Sequence, residues 1–297
     1  PAAAVIVSPA VGSYVGGDIT AGVLCADFHQ RDEVALFIDV GTNGEIVLGN
    51  NEFLFTCACS AGPAFEGGGI SCGMRAREGA IAAVAFDQEL RKLTFSIIGG
   101  GRPKGICGSG IIDLLSVLLQ SGLMDRSGKL IRETNNEAIL VEGRKARLRL
   151  ASGDESATGK ELCVSEQDIE NVLRAKAAVF AAVATLLKYA GMGFSEIARV
   201  YIAGGFGRVL NIENAIAIGL FPELPLEKFV YLGNASLKGS VKLLLSEKMR
   251  ELQRMIASRM TYVNLSSQSD YAGEYTAALF FPHTDESLFP TAIQKRR

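Results

Sequence analysis

The chain has 297 residues, 48% of them hydrophobic, a formal net charge of −2 and six cysteines. That is apolar chain enough for one large core or two smaller ones, and the balance is that of a soluble globular protein. There is no basic excess or Lys/Arg–aromatic interleaving of the kind that holds nucleic acid, and the cysteines are too few for a secreted disulfide framework.

The N-terminal residues, Pro1 to Val5, lack the basic flank of a signal peptide, and the absence of an initiator Met points to a piece of a longer chain. The longest apolar stretch, Ala177 to Leu187, lies between Lys176 and Lys188 and is too short to span a bilayer. No membrane is expected, and reduced thiols place the protein in the cytoplasm. Asp18, after Gly16 and Gly17, is positioned to cap or begin a helix running to about Cys25.

Phe37 to Leu48 is the most informative stretch. An apolar run ends in Asp39, the turn Gly41-Thr42-Asn43-Gly44 follows, and a second apolar run begins. Glycines let the backbone adopt positive φ and bring its N–H groups close to a ligand. With the Thr42 and Asn43 side chains they would make an anion nest suited to phosphate. Asp39 could hold magnesium through water, since magnesium keeps its waters and takes one or two carboxylates. An ordinary hairpin with a glycine-rich turn accounts for the same residues, and the residues alone leave both readings open. Phe53 to Cys59 reads as a third strand, so three antiparallel strands come first. Cys57 and Cys59 fall on one side of it, as buried reduced thiols in preference to a metal site.

A second glycine-rich turn, Ser60 to Gly69, precedes a short helix expected between Ile70 and Phe86 and a strand from Leu93 to Ile98. Gly105 to Gly110 then leads into a buried helix over Ile111–Leu119. Gly108 and Ser109 are a second candidate anion site at a helix N-terminus, with close packing of helix on sheet as the alternative. Residues 125–164 read as a solvent-facing hairpin insertion. Ser165-Glu166-Gln167-Asp168 resembles a capping box, and a helix runs from it to about Ala190. Val200 to Ala203 is a buried strand entering the turn Gly204-Gly205-Phe206-Gly207. A short helix over Ile212–Gly219, a last strand over Phe229–Leu232 and a helix over Ala235–Met260, broken only at Gly239, follow. A strand near Tyr262 and a helix near Ala278 close the chain. His29 and His283 are read as solvated, Arg75 and Arg77 as a solvated helix face, and Cys107 as a small apolar side chain.

Three adjacent strands, the first ending in Asp before a Gly-Thr turn, then helices, then an apolar strand ending Gly-Gly-x-Gly, resemble the acetate and sugar kinase, heat-shock chaperone and actin superfamily. The stretches Ile38–Glu45, Ala61–Gly67, Gly105–Gly110, Ala203–Gly207 and Gly233–Ala235, in this order, are similar to the reductive activators of corrinoid proteins, over about Val11 to Leu245. The resemblance implies an α/β, ribonuclease-H-like/actin-like ATPase fold, a mixed sheet flanked by helices with a hairpin insertion. It implies ATP and Mg as ligands: Asp39 as the catalytic residue holding Mg through water, Gly41, Thr42, Asn43 and Gly44 on phosphate, Gly204, Gly205, Phe206 and Gly207 on adenosine, with Gly108 and Ser109 beside them. It implies that a methyl-carrying corrinoid protein is the partner and that cob(II)amide is returned to cob(I)amide. An iron–sulfur cluster is expected only in a missing domain, because no clustered cysteine pattern and no upstream Asp-x-Gly-Thr-Thr loop stand in this chain.

The expected organisation is therefore a connecting segment over 1–30 from a missing upstream subdomain, an actin-like subdomain over 31–235 and a C-terminal helical return over 236–297. A homodimer stays open. The alternatives are a nucleotide-independent docking module for a corrinoid protein and a small-molecule kinase of the same superfamily, for which Glu45 and Glu66 are the available carboxylates.

Overall fold

The computed structural model describes residues 5–90, 92–133, 136–205 and 210–294. In chain order, α1 (Gly17–Cys25) is followed by β1 (Ala35–Val40), β2 (Gly44–Gly49) and β3 (Leu54–Cys59). Then come β4 (Ala80–Asp87), β5 (Lys92–Ile97), β6 (Gly105–Ile106) and α2 (Gly108–Gln120). β7 (Ile139–Glu142), β8 (Lys145–Ala151) and β9 (Leu162–Ser165) lead into the long α3 (Glu166–Tyr189). β10 (Arg199–Ala203), α4 (Ile212–Ala217), β11 (Phe229–Gly233), α5 (Ala235–Leu245) and α6 (Glu247–Arg259) follow. β12 (Met260–Tyr262), α7 (Tyr271–Ala277) and α8 (Pro290–Gln294) complete the chain. The chain forms two compact units that interleave in sequence, one of residues 1–59, 182–205 and 224–271, the other of 60–181, 206–223 and 272–297.

The first unit is built on a six-stranded mixed sheet in the order β11-β10-β1-β2-β3-β12. β1, β2 and β3 are antiparallel, whereas β10 runs parallel to β1 and β11 parallel to β10. Successive residues of a strand point to opposite faces. Ala35, Phe37, Val47, Tyr201 and Ala203 form one buried face, packed with Ile19, Val23 and Leu24 of α1, Leu243 of α5 and Ile256 of α6. Leu36, Ile38, Ile46 and Leu48, on the other face, are also fully buried. Apolar side chains on both sides are what a central strand needs, and each such Leu, Ile or Phe contributes roughly 1.5–3 kcal/mol on burial.

The helix expected over Ala235–Met260 is two helices, and its break falls at Ser246, whose side chain accepts from the Met249 N–H to start α6. Gly239 does not break it. A Cβ at Gly239 would stand 2.0 Å from the Ala21 carbonyl oxygen, so this glycine lets α1 and α5 cross in backbone contact. Asp18 begins the helix rather than capping it: it lies in the first turn of α1, which ends at Cys25 as expected, while Gly16 is the N-cap and no side chain bonds there.

The second unit carries the sheets β5-β4-β6 and β7-β8-β9. Where a helix is expected over Ile70–Phe86 the structure has β4, paired antiparallel with β5 and parallel with β6. The alanines of this run favour a helix, and the ladders to β5 and β6 override that weak preference. α2 packs on β4: the Ser109 hydroxyl donates to the Ala82 carbonyl at 2.8 Å, and Asp113 accepts from the Val84 N–H at 3.3 Å and from Asn214 at 2.7 Å. The hairpin insertion is β7 and β8, with β9 as its third strand. His283 is buried beside the Phe180 ring, not solvated. Arg75 and Arg77 are exposed on irregular chain and not on a helix face.

Candidate functional site

Parallel strands β1, β10 and β11 end on the same edge of the first unit's sheet, and in open α/β sheets the crevice beyond such strand ends takes ligands. Three stretches meet there. Asp39 is the penultimate residue of β1, paired with Ala203 on β10 on one side and with Glu45 on β2 on the other. Gly204 follows Ala203, and its N–H donates to the Gly233 carbonyl at the end of β11 at 3.2 Å. Tyr231 on β11 donates its hydroxyl to the Gly204 carbonyl at 3.1 Å.

Gly204 is dictated by this junction. Its φ is +104°, and a Cβ there would stand 2.7 Å from Asp39 Oδ1 and 3.0 Å from the Val40 carbonyl oxygen. Backbone in that region suits glycine, and here the space is also taken by the carboxylate. At Gly205, by contrast, a Cβ would have no described atom within 4 Å, so bare backbone there faces open space. Phe206 and Gly207, the rest of the expected adenosine motif, lie outside the described residues.

The β1–β2 turn is shorter than the sequence suggests. Gly44 belongs to β2, opposite Val40, so the turn is Gly41-Thr42-Asn43. The Gly41 N–H donates to the Asn43 carbonyl at 2.8 Å and is thereby used inside the turn. Thr42 and Asn43 are exposed at its tip.

Asp39, Glu45 and Asp18 form an electrostatic group. Asp39 and Glu45 share the sheet face on which α1 packs, and Asp18 lies in the first turn of α1. Burial, and then the Asp18 charge, push the Asp39 carboxyl up to about 6. Burial, then Asp39 and Asp18, push Glu45 up to about 7. Among the described residues no cationic side chain is among the groups acting on either one. Carboxyls raised by burial and then by neighbouring acids are relieved by a positive charge. Among the described residues no three acids, histidines or cysteines are arranged as a direct metal cage. The arrangement thus suits a cation that keeps its own water shell. Asp18 escapes a reading of motifs because it is 21 positions before Asp39, and only the Gly16-Gly17-Asp18 sequence marks it.

In the second unit, Gly108 opens α2 and Ser109 is buried. A Cβ at Gly108 would stand 2.0 Å from the Phe65 carbonyl oxygen, and the Ser109 hydroxyl is engaged with Ala82 and Cys107. Close packing accounts for both. The cysteines are free; burial pushes Cys59 and Cys72 up to about 12, and Cys107 packs as a small apolar side chain with Ala80 and Ala82.

The fold and this strand-end site define an actin-like ATPase domain. The chain belongs to the family described as the C-terminal domain of RACo, the ASKHA domain, whose family pattern matches residues 33–293. It is 31% identical over 288 residues to the corrinoid activation enzyme RamQ of Eubacterium limosum, covering 95% of this chain and 48% of that protein. It is 30% identical over 277 residues to a Co(II) methylated amine-specific corrinoid protein reductase of Methanosarcina barkeri, covering 86% of this chain and 47% of that protein. A solved reductive activator for corrinoid, iron-sulfur protein superposes with a TM-score of 0.91 at 51% identity, over 95% of this chain and 45% of that one. The chain spans about half the length of the relatives it matches. Among its described residues no helix is long and apolar enough to cross a membrane.

Proposed function

We propose that this chain is the C-terminal, nucleotide-binding portion of an ATP-dependent reductive activator that returns cob(II)amide to cob(I)amide in a methyl-carrying corrinoid protein. The observation that carries the nucleotide part is the fit of Gly204 against Asp39: glycine backbone at the end of β10, pressed on a carboxylate at the end of β1. In this reading Gly204 to Gly207 face adenosine and the turn Gly41-Thr42-Asn43, with Gly44 at the start of β2, meets phosphate; Gly108 and Ser109, which close packing already explains, are only a looser candidate. Asp39 would hold Mg through water, a role supported by the elevation of the Asp39 and Glu45 carboxyls by burial and by neighbouring acids, with no compensating cation among the described residues. Bound there, Mg would neutralise phosphate charge.

The corrinoid part rests on the relatives, named as a corrinoid activation enzyme, a corrinoid protein reductase and a corrinoid activator. ATP acts on such a reduction only by binding one protein conformation better than another, so the gain in reducibility must come from a nucleotide-stabilised complex with the corrinoid protein. The cysteines of this chain do not fit an iron–sulfur cluster: among the described residues no three cysteines or other metal-ligating side chains are grouped to hold a metal. No electron is routed through them, and the cluster is assigned to a separate domain. The reading is of a cytoplasmic protein, with a homodimer as the assembly to test.

Anaerobic calorimetry of the chain against a cob(II)amide corrinoid protein, with and without Mg-ATP, while following the cobalt absorbance, tests this. Mg-ATP-dependent binding with a spectral shift is the expected result. Binding indifferent to Mg-ATP would assign a nucleotide-independent docking module, and ATP binding with no corrinoid binding would return the reading to a small-molecule kinase.

A further inference from the structure

The outer face of α5 carries an apolar stripe that nothing in the nucleotide reading uses. Leu237, Val241, Leu244 and Leu245 recur at i, i+4, i+7 and i+8, the spacing of one helix face, and Leu244 and Leu245 are 81% and 82% exposed. Inward from the stripe, Leu243 of α5, Gln253 and Arg254 of α6 and Ile6 and Val7 of the N-terminal segment line a groove of about 340 Å³. A contiguous exposed apolar patch beside a groove is the mark of an interaction surface.

The charge around it is one-sided. Ala235–Arg259 contains Lys238, Lys242, Lys248, Arg250, Arg254 and Arg259 against Glu247 and Glu251, in a chain whose net charge is −2. Lys238 and Arg250 bond to backbone carbonyls, at Leu232 and Leu243. Lys242, Lys248 and Arg254 are exposed, and among the described residues no ion pair engages them. A second copy of the chain set on this face about a twofold axis would bring lysine against lysine, which Coulomb repulsion opposes.

We propose that the α5 face docks a short amphipathic helix of a partner protein, with leucine-type anchors in the groove and Asp or Glu along its flanks. Such helix-in-groove recognition reads anchors at i, i+3/i+4 and i+7. The exposed stripe from Leu237 to Leu245 is about two helical turns long, a length that a partner helix of two to three turns covers. The surface is independent of the nucleotide site, so it stands or falls separately from the function proposed above.

The test is fluorescence anisotropy of a labelled 18-residue Leu/Glu amphipathic peptide against the whole chain, beside a Leu/Lys peptide of the same pattern. Expected is saturable binding of the Glu peptide alone, weakened by salt. Leu244→Asp with Leu245→Asp should weaken it by about tenfold or more, from the apolar area lost. Lys242→Glu with Lys248→Glu should also weaken it and transfer preference to the Lys peptide. These positions are exposed, and circular dichroism confirms that each variant is folded. Equal binding of the two peptides, or binding untouched by the leucine substitutions, overturns the proposal. Self-association in sedimentation velocity that the leucine substitutions abolish, or flotation with phosphatidylglycerol vesicles in place of peptide binding, likewise overturns it and assigns the face to a second copy or to a lipid surface.

Discussion

Asp39 and Glu45 stand directly opposite one another in the ladder between β1 and β2, two carboxyl groups on one sheet face with the Asp18 charge acting on both. Facing acids oppose folding when both are ionised. Asp39 is raised from 3.8 to about 6 and Glu45 from 4.5 to about 7, so between those values the folded chain keeps protons that the unfolded chain has lost. Stability of the ligand-free chain therefore falls as pH rises through that interval.

Asp39→Asn removes the Asp39 part of that penalty and relieves Glu45 of one neighbouring charge. It should stabilise the ligand-free chain at pH 8 by roughly 1–2 kcal/mol, allowing for partial exposure, and leave it unchanged near pH 4. Urea denaturation at the two pH values checks this. A gain of equal size at both would mean that packing, not charge, is responsible. The same substitution should abolish Mg-dependent nucleotide binding if the proposed function holds.

Gly204 and Gly205 are adjacent glycines with different reasons for being glycine, and the difference is measurable. Gly204→Ala places a methyl group against Asp39 Oδ1 in backbone of positive φ, and should cost roughly 1–3 kcal/mol of stability. Gly205→Ala enters open space and should leave stability within about 0.5 kcal/mol. On the proposed reading both variants lose ATP affinity, Gly205→Ala by obstructing the nucleoside alone. Thermal unfolding and calorimetry on the pair separate the two effects. An unimpaired nucleotide affinity in Gly205→Ala would remove that glycine from the site.

The parts of this structure that were legible in the sequence are those with short-range causes. The β1–β2–β3 meander announces itself through apolar runs cut by Gly41 to Gly44 and Gly49 to Glu52, and α3 through its capping residues and helical spacing. What failed had its cause far away in the chain. Ala80–Asp87 is alanine-rich and reads as helix until β5 and β6 pair with it. Gly239 reads as a helix breaker until Ala21, more than 200 residues earlier, is found against it. Asp18 reads correctly as a residue that starts a helix, and only the fold brings its charge to bear on Asp39 and Glu45. Asp39 and Gly204 were each visible within their motifs. The close approach that makes glycine necessary beside Asp39 arises only from the β1–β10 pairing.

Asp168 accepts four hydrogen bonds in the second unit. Its Oδ1 accepts from the Ser71 N–H at 2.9 Å and the Ser71 hydroxyl at 3.1 Å, and its Oδ2 from the Ser165 N–H and hydroxyl, both at 2.8 Å. One side chain thus starts α3 and ties the Ser60–Gly79 segment to it. Asp168→Ala should cost roughly 2–4 kcal/mol, since several donors lose their only charged acceptor at once. Asp168→Asn keeps one acceptor oxygen and should cost about half as much. Denaturant midpoints for the two variants check the ranking, and a loss under about 0.5 kcal/mol in the alanine variant would show that water replaces the carboxylate at no expense.

Lys176 is fully buried in α3 and donates its ammonium to the Phe280 carbonyl at 2.7 Å and to the Pro282 carbonyl at 2.5 Å. His283, which follows Pro282, is buried against the Phe180 and Phe289 rings; its Nδ1 accepts from the Asp285 N–H at 3.1 Å, and its Nε2 has no hydrogen-bond partner among the described residues. Lys176→Met leaves the buried Pro282 carbonyl and the partly buried Phe280 carbonyl without this donor and should destabilise the chain by roughly 1–3 kcal/mol. Burial first, and then the Lys176 charge, hold His283 below its usual 6.5, against the smaller opposing pull of Glu274 and Asp285. The unfolded chain then takes up a proton at His283 before the folded chain does. The stability due to neutral His283 is whole above pH 6.5 and is lost as pH falls from there toward the depressed folded value. Asp39 and Glu45 act in the opposite sense over part of that interval, so the informative quantity is the difference between the parent chain and His283→Asn, which keeps an acceptor for Asp285 but does not titrate. Between pH 7.5 and 5.5 the parent should lose more stability than the variant in urea titrations followed by circular dichroism. Parallel pH profiles for the two would show that His283 is protonated in the folded chain as readily as in the unfolded one.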